Sequence, residues 1–258
     1  MPLRSDDPAW VVPGWRAPTG VRAAVSTRLG PGVSMAPFDR FNLGTRSGDD
    51  PAAVAANRVA LQAALELPRP PRWLQQVHGT EVCVVRDAAW LEEPIADAAI
   101  TRECDQPLVI LTADCLPVLL CSDDGSVIGA AHAGWRGLAA GVIERTVAAM
   151  AIDPARVRAW LGPCIGLSSY EVGEEVRAAL VDTDAGAVSC FVPTRPGHWR
   201  CDLAALARRR LQAMGVTQVT GGGFDTFTDS RFYSYRRDGA RSGRFASVIW
   251  LEDGGASR

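Results

Sequence analysis

Three apolar runs, residues 108–112, 116–121 and 127–132, follow one another with only short polar breaks between them. Each is too short for a buried helix and rich in Leu, Val, Ile or Ala, which fits strands covered on both faces. The break Asp123-Asp124-Gly125 has turn chemistry and makes a hairpin of the second and third runs. This block predicts the centre of a sheet, around which the remaining chain has to pack.

Further strands are predicted at 21–27, 74–78, 81–85, 157–161, 216–220, 232–235 and 245–251. Asp50 is placed to cap a helix over 51–67, with Pro51 in its first turn. Helices are also expected at 138–150, 170–181 and 203–214. Strands and helices intermix through hairpin-like links, so the expected fold class is α+β rather than a parallel doubly wound sheet. Residues 1–258 read as a single domain, a central mixed sheet flanked by helices, with 1–18 as a peripheral N-terminal segment.

Composition removes several function classes. The chain has 258 residues and a formal net charge of −2, which gives no bulk attraction for nucleic acid. Every basic side chain other than histidine is arginine, so Schiff-base and P-loop lysine chemistry are excluded. No apolar stretch approaches a membrane span and the N-terminus lacks a signal-peptide pattern. Seven dispersed cysteines, an odd number, point to a reduced, cytoplasmic protein.

Two of the three histidines stand in motif-like segments, His78 in Gln75-Gln76-Val77-His78-Gly79 and His132 in His132-Ala133-Gly134-Trp135-Arg136-Gly137. Cys115 stands in Thr112-Ala113-Asp114-Cys115-Leu116-Pro117, between two strand-like runs. One thiolate and two imidazoles suit a catalytic zinc with one open position, so His78, Cys115 and His132 are the candidate metal ligands. Gly134 and Gly137 precede a helix beside Arg136, a combination that predicts an anion site at the helix start. Asp114 adjoins a ligand and is a candidate orienting or proton-transfer group, although strand alternation would turn it to the opposite face. His198 reads as a loop residue.

The sequence resembles the bacterial family once labelled laccase-domain or multicopper polyphenol oxidase proteins, and later described as zinc-dependent purine nucleoside phosphorylases with adenosine deaminase activity. The likeness runs from Ser26-Thr27-Arg28 and Phe41-Asn42-Leu43-Gly44 through Asn57-Arg58 and the three motifs above. It continues through Gly162-Pro163-Cys164-Ile165-Gly166 and Tyr170-Glu171-Val172-Gly173 to Phe232-Tyr233-Ser234-Tyr235-Arg236-Arg237-Asp238-Gly239. The resemblance implies zinc at His78, Cys115 and His132, in agreement with the reading from residue chemistry. It implies a purine nucleoside and inorganic phosphate as partners, in a monomer or small homo-oligomer. One departure is Asp225-Thr226, where many members carry Cys-Thr; neither position 225 nor Cys164 is given an essential thiol role.

Counting ligands tests the older label. A multicopper oxidase needs roughly ten histidines, mostly paired, because imidazole is its main ligand. Three unpaired histidines leave room for an adventitious copper only. The His-x-Glu and Pro-Cys-x-x-Cys signature of cytidine-type zinc deaminases is also absent. For phosphorolysis, Arg136 is the first candidate to clamp phosphate, with Arg28, Arg58 and Arg236 behind it. Asn42 and Gln76 carry amides suited to a purine edge or ribose hydroxyls. The competing reading is a metal-free hydrolase with Cys115 as nucleophile and His132 as its base.

Overall fold

The computed structural model describes residues 6–86 and 92–252. Leu116–Ser122 and Ile128–Ala133 form the expected hairpin, with Leu116 opposite Ala133 and Cys121 opposite Ile128. Val157–Leu161 pairs antiparallel on the outer side of that hairpin, and Gln218–Gly221 adds parallel to it. On the other side Ala98–Thr101 joins antiparallel and Val82–Val85 closes the sheet in parallel. The result is a six-stranded mixed sheet.

The run at 108–112 is a strand but belongs to a second sheet. Leu108–Thr112 pairs with Phe245–Leu251, which pairs with Val21–Ser26, and Trp10–Val11 extends that sheet at its edge. The chain leaves one sheet for the other at Asp114, whose φ of 89° turns it sharply. The second face of the mixed sheet is therefore covered by another sheet, while helices flank the first.

Alternation along the strands builds the layers. Leu116, Val118 and Leu120 face the helices through Leu138, Val142, Ile143 and Leu206. Leu119 and Cys121 face the other way, onto Leu108, Ile110, Phe245 and Ile249 of the second sheet. Ala246, Val248 and Trp250 point outward again, against Leu61 and Leu65 at the end of helix Pro51–Ala64. The order is helix, sheet, sheet, helices. Each such side chain contributes about 1.5–3 kcal/mol through burial, so truncating Leu119 to Ala is expected to cost about 2–5 kcal/mol.

Other expectations shift at their ends. The helix expected at 138–150 is two helices, Trp135–Ala140 and Val142–Ala149, broken by Gly141 at φ 94°. The one at 170–181 begins as the strand Glu171–Gly173, which joins His198–Cys201 and Phe191–Pro193 in a small antiparallel sheet before helix Glu174–Val181. His198 thus lies in a strand, not a loop. Residues 74–78 make only an isolated bridge at Gln75. The stretch 232–235 is no strand: Ser234 caps the short helix Tyr235–Asp238. Among the described residues no helix is long and apolar enough to cross a membrane.

Candidate metal centre and cleft

The hairpin register places two of the three candidate ligands. Leu116 opposite Ala133 and Pro117 opposite His132 bring Cys115 to the strand end where His132 and Gly134 lie. His78 arrives from a turn in which its own φ is 61°, an unusual conformation for a non-glycine residue. Asp97 holds that turn by accepting three consecutive backbone N–H bonds, from Val77 at 3.1 Å, His78 at 2.9 Å and Gly79 at 2.6 Å.

The nitrogen and sulfur atoms of His78, Cys115 and His132 all lie within 4.8 Å of one another. His78 Nε2 is 3.7 Å from Cys115 Sγ. Ligands about 2.0 Å (nitrogen) and about 2.3 Å (sulfur) from a tetrahedral zinc stand at comparable separations. His132 Nδ1 is 2.8 Å from Asp97 Oδ1, which leaves Nε2 as its coordinating atom. A Cβ on Gly134 would lie 2.8 Å from His78 Cδ2 and 3.0 Å from Cys115 Sγ, so glycine keeps this cradle open. The donor set and the space both fit a divalent ion with an open position.

Electrostatics favour the ligating forms. Burial pushes the Cys115 thiol up, but His132 and His78 beside it outweigh burial and bring it down to about 6. Burial disfavours the His132 imidazolium, yet the Cys115 thiolate and Asp97 raise it to about 9. Without a metal, Cys115 and His132 form a thiolate–imidazolium pair.

This centre opens into a cleft of about 540 Å³, an ordinary volume for a small-molecule site. Arg136, Arg58, Arg236, Gln76 and Asp114 all line it. Arg136 stacks on Trp135 at 4.3 Å and makes no ion pair among the described residues. The helix that follows Gly134 is six residues long, Trp135–Ala140, and carries Arg136 in its first turn. The Arg136 guanidinium is the charged group that this segment contributes to the cleft lining.

The remaining candidates are more committed. Arg58 bonds Glu93 at 2.7 Å and stacks on Trp73 at 3.9 Å. Arg236 bonds the carbonyl of Glu171 at 2.9 Å. The Gln76 amide pairs with both the N–H and the carbonyl of Leu111, each at 2.8 Å. Asp114 accepts Thr226 Oγ1 at 2.7 Å and the N–H of Arg236 at 2.6 Å, so both oxygens act as fasteners.

Arg28 and Asn42 lie away from the cleft lining. Arg28 bonds the carbonyl of Asp39 at 2.9 Å and lies over the Tyr233 ring. Asn42 is fully buried; its amide bonds Ser47 and Asp49 and accepts the N–H groups of Gly44 and Arg244.

The sequence reading missed Asp97 and, around the cleft, Arg46, Glu93, Tyr170, Tyr235 and Arg244. Asp97 had one detectable signal: a lone carboxylate inside Ile95-Ala96-Asp97-Ala98-Ala99-Ile100, which demands a partner if buried. Tyr170 and Tyr235 lie in motifs already quoted, Tyr235 at the start of its short helix, whereas Arg46, Glu93 and Arg244 come from loops with no local pattern.

Comparison with known proteins agrees with this geometry. The chain is 54% identical over 255 residues to a Xylella fastidiosa (strain Temecula1) protein named purine nucleoside phosphorylase, covering 95% of this chain and 98% of that one. It is 46% identical to the Escherichia coli K12 protein named purine nucleoside phosphorylase YfiH, covering 93% and 98%. A Neisseria meningitidis crystal structure superposes with a TM-score of 0.90 at 42% identity, covering 95% of this chain and all of that one. Residues 22–252 match the family described as multi-copper polyphenol oxidoreductase laccase. With that match across both sheets and the His78–Cys115–His132 cluster, the chain belongs to this family, under a label that asks for more histidines than it has.

Proposed function

We propose that this protein is a cytoplasmic, zinc-dependent purine nucleoside phosphorylase that cleaves adenosine, inosine and 5′-methylthioadenosine with phosphate, and also deaminates adenosine. The observation that carries the reading is the three-ligand cluster opening into an arginine-lined cleft. The names of the relatives support the same reaction class.

His78, Cys115 and His132 would hold the zinc, which supplies Lewis acidity at one open position. Asp97 fixes the His132 ring and its tautomer by accepting from Nδ1, so the other nitrogen faces the cluster. Arg136, with no carboxylate partner among the described residues, binds phosphate through charge-assisted hydrogen bonds. Arg46, Arg58 and Glu93 form one cluster on the cleft wall, with Glu93 2.7 Å from Arg58 and 3.7 Å from Arg46. Glu93 restrains both guanidinium groups while leaving them charged. Trp135 and Tyr170 offer planar faces for a purine ring. All seven cysteines are free, which suits a reducing compartment.

The test is incubation of the zinc-loaded protein with each nucleoside, with and without phosphate. Phosphate-dependent formation of ribose 1-phosphate supports phosphorolysis; ammonia release without it supports deamination alone. A second reading, the metal-free thiol hydrolase, draws on the lowered Cys115 thiol and the raised His132. His78→Ala separates the two, since the hydrolase would keep most of its activity and the zinc enzyme would not.

A further inference from the structure

Asp225 lies outside the metal cluster, yet it binds the turn that delivers an aromatic ring to the cleft. Oδ1 accepts the N–H of Gly166 at 3.0 Å and of Phe227 at 3.1 Å. Oδ2 accepts the hydroxyls of Ser169 at 2.5 Å and Ser168 at 3.2 Å. A Cβ on Gly166 would stand 2.8 Å from the Asp225 side chain, so the turn closes directly over the carboxylate. Tyr170 follows immediately and lines the cleft.

The next residue ties the same segment to the centre. Thr226 donates to Asp114, beside Cys115, and Asp114 also accepts the N–H of Arg236. The Arg236 guanidinium lies 5.2 Å over the Tyr170 ring. Asp225 thus fixes one end of this connection and Asp114 the other.

We infer that Asp225 is a positioning residue, which locks the 166–170 turn so that Tyr170 and Arg236 present a fixed face to the nucleoside. This rests on the nucleoside reading above. Asp225 touches neither the metal ligands nor Arg136, so its loss acts on nucleoside binding and leaves metal and phosphate binding in place. Three hydrogen bonds from the turn to one carboxylate, given by Gly166, Ser168 and Ser169, hold it rigidly, and rigidity of a binding face is read in affinity.

The test uses zinc-loaded wild type, Asp225→Ala, Asp225→Asn and Ser169→Ala. Measured for each are zinc content, kcat, KM for adenosine and for phosphate, and the adenosine Kd by calorimetry. Asp225→Ala is expected to raise the adenosine KM and Kd about tenfold, with zinc content and phosphate KM within about twofold of wild type. Asn keeps an oxygen for the two N–H groups and can donate to the serine hydroxyls, so Asp225→Asn should return within about threefold of wild type. Should Asp225→Ala fail to fold, Ser169→Ala carries the test with an expected rise of about threefold.

An unchanged adenosine Kd in Asp225→Ala, or in Ser169→Ala where the first does not fold, overturns the inference. So does a matching loss of zinc or phosphate affinity. A wild-type protein that binds adenosine without cleaving it overturns the proposed reaction alone, since the Kd comparison still reads Asp225. One that binds no adenosine overturns both.

Discussion

His132 Nδ1 stands 2.8 Å from Asp97 Oδ1, and the same buried carboxylate accepts the N–H of His78 at 2.9 Å. A single side chain therefore orients one candidate metal ligand and shapes the turn that presents another. The two ligands come from segments far apart in sequence, so this carboxylate is their physical link.

Replacing Asp97 should be felt at the metal before it is felt elsewhere. Asp97→Asn, which retains an acceptor and similar volume, is expected to weaken zinc binding about 10–100-fold, read by chelator competition. Asp97→Ala also strands three N–H groups and should cost about 3 kcal/mol or more in denaturant unfolding. Zinc affinity equal to wild type in both variants would remove Asp97 from the site.

The ligand set makes a sharper demand. His78→Ala, Cys115→Ala and His132→Ala should each fall from about one zinc per chain to near none by elemental analysis. Full occupancy in Cys115→Ala would refute the assignment.

Gly134→Ala tests the cradle without touching a ligand. Gly134 has φ −65°, so alanine meets no backbone strain, but its Cβ would press on His78 and Cys115. Lost zinc with a thermal midpoint close to wild type is the expected pair of results. Unaltered zinc binding would mean that the ligands hold the ion farther from Gly134 than this geometry implies.

pH acts on the metal-free chain through the thiolate–imidazolium pair. The Cys115 contribution to stability is complete above the thiol's ordinary 9.0 and is lost as pH falls through about 6. The His132 contribution is complete below 6.5 and is lost as pH rises through about 9. The two trends run in opposite directions between about pH 6.5 and 9 and largely offset, so this pair should leave the thermal midpoint in chelator nearly level across that range. Zinc uptake near pH 7.5 should release about one proton, from His132, read by calorimetry in buffers of different ionisation enthalpy.

Arg136 should separate phosphate from nucleoside. Arg136→Ala is expected to raise the phosphate KM about tenfold while the adenosine KM stays within about twofold. Equal effects on both would place Arg136 with the base or ribose. Gln76→Ala should instead lower stability, because both ends of its amide are bound to Leu111.

The sequence by itself determined the strands of both sheets that carry strong apolar patterns, because alternation and turn residues act locally. It also pointed to the group that the fold brings together: with only three histidines, Cys115 and the two in motif segments were legible as candidate ligands. What it could not determine was which sheet Leu108–Thr112 would join, since a short apolar strand pairs equally well in either until Asp114 turns the chain. Nor could it show that Asn42 and Arg28 would be spent on the protein's own backbone and side chains. Asp97, Asp114 and Asp225 acquired their roles only in the tertiary structure. A carboxylate's partners are set by strand register and loop closure between distant segments, and no local pattern in the chain encodes that distance.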